Sequence, residues 1–194
     1  MLLLASILLF MGKSEGFLYA NGIYFSFLDK MMKYGTYLGD GKFAIVVIVL
    51  VFILQRRVTV PVVLAFALCV AIVEPLKHFI SSARPDAFYV EIKPFHTALG
   101  EKLKCCNGFP SGHSTTAFAI YGVLAFFAGS NTKKFLFFLV AAFAAWTRIY
   151  LAQHFVEQVL VGAFIGTVCS IAAVRMDVYI KNNINNKFVK SFYR

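Results

Sequence analysis

Three short stretches of this 194-residue chain carry ionisable side chains inside otherwise apolar sequence. Residues 74–86 read EPLKHFISSARPD and supply Lys77 and Arg84. Residues 109–116 read FPSGHSTT and supply His113, and residues 147–158 read TRIYLAQHFVEQ and supply Arg148 and His154. A lysine and two arginines suit an oxyanion: together they neutralise a phosphate, and arginine can grip its oxygens in pairs. Ser111 and Gly112, placed to open a helix, add backbone N–H groups and the favourable end of a helix dipole. Two histidines, which titrate near neutrality, provide a nucleophile and a proton donor. Taken singly, each stretch has a plainer reading. Lys77 can snorkel to lipid headgroups, and Pro-Ser-Gly-His can be a turn with a helix cap. The phosphate chemistry depends on the three meeting.

The elements that must bring them together are membrane helices. The chain is 60% hydrophobic with a mean hydropathy of +0.75 and only 14% charged residues, which excludes an ordinary soluble domain. Lipid offers an unpaired backbone amide no partner, so the apolar runs are predicted as helices, and the alternation of a membrane barrel is absent. The reading is a single all-α domain over residues 1–194, a polytopic membrane helical bundle of about six transmembrane helices. The first apolar segment stops at Lys13-Ser14-Glu15 and is taken as a first span rather than a signal peptide. An interfacial linker follows over 13–41, and further spans fall at about 42–55, 58–80, 112–129, 134–150 and 155–174.

This layout places the three stretches at helix ends on one face of the bilayer, where ionisable residues are costly and usually functional. The Arg56-Arg57 and Lys133-Lys134 connections and the tail from Arg175 to Arg194 are compactly basic. The 13–41 linker and the 81–111 loop spread their basic residues and hold six acids. Charge density therefore assigns the first set and both termini to the cytoplasm and the motif face to the outside. The net charge of +10 belongs to these membrane flanks, and no nucleic-acid partner is expected. All four cysteines are expected as free thiols: Cys69 and Cys169 lie inside apolar runs, while Cys105 and Cys106 are loop neighbours. The oligomeric state leaves no trace in the sequence.

The stretches resemble the three motifs of the type 2 phosphatidic acid phosphatase family, whose fold is shared with vanadium-dependent haloperoxidases. The family's first motif, lysine, six residues, Arg-Pro, is matched by Lys77 and Arg84-Pro85. The second is Pro110-Ser111-Gly112-His113, and the third, Ser-Arg, five residues, His, three residues, Asp, reads here as Thr147-Arg148, His154 and Gln158. The resemblance covers roughly residues 42–175. It implies a lipid phosphatase of the bacterial cytoplasmic membrane, needing no metal or cofactor and acting at the periplasmic or exterior face. By family analogy His154 attacks phosphorus and forms a phosphohistidine, and His113 protonates the leaving oxygen. Lys77, Arg84 and Arg148 hold the phosphoryl oxygens with Ser111 and Gly112. Preorganised donors of this kind suit a transition state of dispersed negative charge, and no carboxylate cluster suited to Mg²⁺ stands on the site face. The implied substrates are undecaprenyl pyrophosphate, phosphatidylglycerol phosphate, phosphatidic acid or a lipid A phosphate. The alternatives are a phosphotransferase on the same scaffold and a non-catalytic relative that binds lipid phosphate.

Two positions depart from the pattern. Thr147 keeps the hydroxyl of serine. Gln158 replaces an aspartate that would orient His154 one helical turn away; its carbonyl can still accept a hydrogen bond but brings no charge. In a serine-protease triad the same amidation costs about 10⁴ in kcat through the wrong tautomer, an upper guide here. Glu157, at i+3 from His154, is the other possible orienting group, or simply an acid in the first turn of a helix. Glu74, one turn before Lys77, can pair with it, and Asp86 can orient Arg84. His96 can touch substrate, and His78 is interfacial. Gly162 and Gly166 are read as a close intramolecular helix contact.

Overall fold

The computed structural model describes residues 2–89, 91, 94–98 and 100–183, with 2–10 described by backbone alone. The tail lysines Lys187 and Lys190 and Arg194 therefore lie outside the described residues. Every regular element among those described is helical: α1 Leu2–Gly22, α2 Ser26–Gly35, a 3-10 turn Thr36–Gly39, α3 Gly41–Leu54, α4 Arg56–Phe79, the single turn α5 Pro85–Phe88, α6 Gly112–Phe127, α7 Asn131–Tyr150 and α8 Val156–Asn183. The five apolar segments from residue 42 onward each became one helix. The 13–41 linker is more ordered than expected. Its first part continues α1 beyond a kink at Gly12, whose φ of 73° suits a residue without Cβ; the rest forms α2 and the 3-10 turn.

Among the described residues, length and apolarity alone qualify two helices to cross a bilayer, α4 and α8. A third crossing arises if α2, the 3-10 turn and α3, bent by 63°, count as one broken span. At 1.5 Å per residue, the 14 residues of α3 and the 16 of α6 reach about 21 and 24 Å, short of a hydrocarbon core of about 30 Å. α7 has 20 residues but opens with Lys133 and Lys134 and closes with Arg148. The count of six expected from hydropathy thus does not follow from helix length. Exposed Phe79, Phe126, Phe135, Phe164, Leu54 and Tyr179 give the bundle the apolar surface of a membrane protein.

α6 runs through the centre, packed on α4, α7 and α8. Small residues let the backbones approach. A Cβ on Gly162 would lie 2.6 Å from the Ser111 carbonyl, and one on Gly166 would run into Thr115. Ser114 Oγ donates to the Val159 carbonyl at 2.7 Å across the same seam. One core, around Phe17, Ala144, Ala145 and Phe155, joins α1, α6, α7 and α8. A second, around Val62, Ala65, Ala119 and Ala173, joins α3, α4, α6 and α8. The tight α6–α8 seam sets Ser111 and His113 at a fixed height against the start of α8. α7 reaches α8 through residues 151–155, with the N–H groups of Gln153 and His154 both donating to the Arg148 carbonyl. Arg148 and His154 are thereby held on one turn.

Candidate active site

His154 lies in the α7–α8 turn, 2% exposed. Its Nδ1 stands 2.8 Å from the Gly108 carbonyl and 3.1 Å from Gln158 Oε1. Both neighbours are acceptors, so Nδ1 carries the proton and Nε2 carries the lone pair. Nε2 in turn is 3.2 Å from an Arg84 N–H, a donor. Burial first, and then the charges of Arg84 and Arg148, hold the imidazole well below its ordinary range, against smaller opposing contributions from Gln158 and Gly108. These contacts suit a neutral ring, in the tautomer whose Nε2 lone pair faces Arg84.

Arg84 sits between the end of α4 and α5 in a cradle of main-chain carbonyls. Its Nε donates to Cys106 at 2.8 Å, its two terminal nitrogens to Gln153 at 3.1 Å and Asn107 at 3.2 Å, and its backbone N–H to Cys105 at 3.0 Å. Residues 105–108 thus offer four successive carbonyls, three to Arg84 and the fourth to His154. Cys105 and Cys106 are joined by a disulfide, which corrects the expectation that they are free thiols. The loop bends at Cys106 and brings neighbouring sulfurs together, a local geometry that spacing alone does not reveal. Cys69 and Cys169 are free and buried, as expected.

Gln158, wholly buried, uses both ends of its amide. Its Oε1 meets His154 Nδ1 and accepts from the Phe155 N–H at 3.2 Å; its Nε2 donates to Ser82 Oγ at 3.1 Å and to the Ala83 carbonyl at 3.0 Å. It is a strut between His154 and the two residues preceding Arg84. Gly108 makes room for it, since a Cβ there would lie 2.7 Å from Gln158 Nε2. Glu157, the other orienting candidate, instead meets Lys13 of α1 at 3.2 Å.

The remaining predicted residues close the site from α4, α6 and α7. Ser111 is the N-cap of α6, yet its side chain makes no capping bond, and its buried Oγ has no partner among the described residues. Arg148 is 6% exposed; one terminal nitrogen donates to Thr36 Oγ1 at 2.6 Å, and its buried Nε is likewise unpartnered. Lys77 pairs with Glu74 at 2.8 Å, as expected from their spacing. With Gly112 and His113 this pair lines a cavity of about 220 Å³, whose apolar wall is Phe66, Val70 and Val73. The cations nearest His113 in charge are Arg148, Lys104, Arg84 and Lys77. Its Nε2 lies 3.6 Å from Asp40 Oδ2.

Sequence reading missed Thr36, Asp40 and Gly108. Asp40 stands before an apolar run, as an N-cap signal, and Asn107-Gly108 is a turn dipeptide; neither pattern announces a neighbouring histidine. His96 does not enter this site: it bonds Asp29 at 2.9 Å and stacks on Tyr24. His78 is exposed. Among the described residues no group of three or more His, Cys, Asp or Glu side chains is placed to hold a metal ion.

A buried imidazole bonded by Arg84, with unpartnered donors on Ser111 and Arg148 and the start of α6 held against Gln158, has the make-up of an oxyanion-binding site on a membrane bundle. The comparisons give that class its family. The chain matches the PAP2 superfamily over residues 58–181, which is most of its length, and belongs to that superfamily of membrane phosphatases. It is 28% identical over 169 residues to phosphatidylglycerophosphatase B of Bacillus subtilis (strain 168), covering 79% of this chain and 77% of the relative. The crystal structure of Aquifex aeolicus LpxE superposes with a TM-score of 0.77 at 29% identity, over 86% of this chain and 96% of that one. That of the first transmembrane PAP2 type phosphatidylglycerolphosphate phosphatase from Bacillus subtilis gives 0.69 at 25%, over 94% of each.

Proposed function

We propose that this protein hydrolyses a phosphomonoester or pyrophosphate of a membrane lipid through a phosphohistidine on His154. The observation that carries the reading is the state of that imidazole: neutral, Nδ1 protonated between two acceptors, Nε2 facing Arg84. An entering phosphoryl group takes over the Arg84 N–H from Nε2 and meets the unpartnered Ser111 Oγ and Arg148 Nε. Nε2 then bonds to phosphorus as the bond to the lipid oxygen breaks, and His113 gives that oxygen its proton. Water, losing a proton back to His113, displaces His154 and releases phosphate. Lys77 and the first N–H groups of α6 neutralise the charge spread over the equatorial oxygens.

Phosphatidylglycerol phosphate is the first substrate to test, because the Bacillus subtilis relative carries its name both in the sequence comparison and in the structural one. Undecaprenyl pyrophosphate, phosphatidic acid and lipid A phosphates follow. The apolar wall beside His113 suits the lipid part of any of them. The site faces outward and both termini face the cytoplasm. The α3–α4 and α6–α7 connections, with Arg56, Arg57, Lys133 and Lys134, lie at the ends of α4 and α6 opposite to Lys77 and Ser111. The test is phosphate release from this lipid panel in detergent, with His154→Ala as control. Release by the wild type alone, with an acid-labile, base-stable phosphoenzyme in quenched samples, is the expected result. Equal rates for both proteins on every lipid would overturn the proposal.

A further inference from the structure

The reading above gives His113 a proton to deliver and surrounds it with charges that resist one. Burial acts first, and then Arg148, Lys104, Arg84 and Lys77, all cations, act on its ring. They serve the phosphate, but each repels a protonated imidazole. A general acid in this position needs an opposite charge close by.

The structure holds one, on an element outside the three motifs. The 3-10 turn Thr36–Gly39 lies against the start of α6, and Gly39 is where they touch: a Cβ there would fall 2.6 Å from the His113 carbonyl oxygen and 3.1 Å from its Cβ. With Gly39 pressed on the His113 backbone, the next residue, Asp40, faces its ring. The carboxylate is divided between two tasks. Oδ1 caps α3 by accepting from the Lys42 N–H at 2.7 Å. Oδ2 stands 3.6 Å from His113 Nε2, the distance of an ion pair rather than a hydrogen bond. Glu74, the acid that lines the cavity beside His113, is already engaged by Lys77 at 2.8 Å. Thr36, on the same turn as Gly39, receives Arg148, so this one short element meets both a phosphate-binding cation and the acid.

We propose that Asp40 is a positioning residue for the general acid, facing His113 Nε2 so that it turns the ring for transfer to the departing lipid oxygen and favours its protonated form against burial and the surrounding cations. The inference rests on the phosphatase reading and adds a residue of the linker to it. The carboxylate offsets the cations around His113 in the ground state, and its pull weakens as the proton leaves with the lipid.

Asparagine caps helices about as well as aspartate, so Asp40→Asn removes the charge and keeps α3. Two readouts separate this role from a structural one, both on full-length protein in detergent. The first is the alkaline limb of kcat/KM on an alkyl lipid phosphate. The acid must be protonated to act, and loss of an adjacent carboxylate favours the neutral ring, so the limb moves to lower pH. One opposite charge at this range, partly exposed, corresponds to a shift of about one unit, or about tenfold in rate on the alkaline side. The second is leaving-group dependence. An aryl phosphate, whose phenolate needs little help from an acid, loses several-fold less in Asp40→Asn than the alkyl ester does, and His113→Ala shows the same selectivity. Asp40→Ser, which also caps, repeats the result if asparagine misfolds. An unmoved limb, or equal losses on both substrates, overturns the role of Asp40 while phosphate release by the wild type keeps the phosphatase standing. A wild type that releases no phosphate from any lipid overturns both.

Discussion

Replacing Gln158 by glutamate tests whether the departure from the family's aspartate is a defect or a strut. The change preserves every heavy-atom position and exchanges an amide NH₂ for a carboxylate oxygen. That oxygen would stand 3.0 Å from the Ala83 carbonyl, acceptor against acceptor, where a hydrogen bond now lies. A buried carbonyl left without its donor costs about 1–3 kcal/mol. A charge newly buried at a fully enclosed position costs several kcal/mol before compensation. Against this, Ser82 Oγ can turn to donate, and the contacts to His154 Nδ1 and the Phe155 N–H become charge-assisted, each stronger by about 1 kcal/mol. The net is a destabilisation of about 2 kcal/mol, a fall of about 4–8 °C in the unfolding midpoint for a chain of this size.

The catalytic effect follows from where the strain falls. Ala83 is pushed away, Arg84 follows it, and a displacement of about 1 Å in such a clamp costs up to about 10²-fold. The Gln158→Glu variant is therefore expected to lower kcat/KM by about 10- to 100-fold, with KM rising because in the proposed mechanism Arg84 binds ground-state phosphate too. The acid limb of the pH profile gives an independent sign. His154 must be neutral to attack, and burial with two arginines holds it well below its usual range, so the wild-type limb lies below pH 6.5. A carboxylate on Nδ1 favours the protonated ring and moves the limb upward. Aspartate, one methylene shorter, withdraws from Ser82 and Ala83 and does not rescue. Phosphate release and thermal unfolding in detergent decide the matter. Faster turnover with an unchanged midpoint in Gln158→Glu would refute the strut.

Glu157→Gln is expected to keep kcat/KM within about twofold and to cost less than about 1 kcal/mol, because it loses only a partly exposed pair with Lys13. A loss above about tenfold would show that this carboxylate reaches His154 after all. Ser111→Ala breaks no existing side-chain bond, so the unfolding midpoint is expected to hold or rise. Its kcat is expected to fall about tenfold, which the same phosphate assay reads; parallel losses of rate and stability would contradict a hydroxyl kept for substrate.

The parts of the site that were legible in the sequence are those made by side chains of unusual chemistry at helix ends. Lys77, His113, Arg148 and His154 stand out because apolar sequence surrounds them, and i, i+3 spacing was enough to pair Glu74 with Lys77. Gly162 and Gly166 announced the α6–α8 seam, since a missing Cβ in a membrane helix is a packing signal. The cradle of Arg84 was not legible, and could not have been. It consists of the carbonyls of Cys105, Cys106, Asn107 and Gln153, and every residue type has a carbonyl. Only Gly108 leaves a mark in the sequence there, through the side chain it cannot have.

That distinction also explains Gln158. Read as a side chain compared with an aspartate, it lacks a charge, and the expected penalty is the wrong tautomer. The tautomer, however, needs only an acceptor on Nδ1, and the Gly108 carbonyl supplies one at 2.8 Å, closer than Gln158 itself. With proton placement secured by main chain, residue 158 is free to be an amide, and the amide's second end does what a carboxylate cannot by donating to Ala83. In the proposed mechanism a carboxylate belongs with the acid rather than the nucleophile, because a nucleophilic histidine must be neutral and an imidazolium acid must be charged. Asp40 stands beside His113, on the side where a negative charge helps.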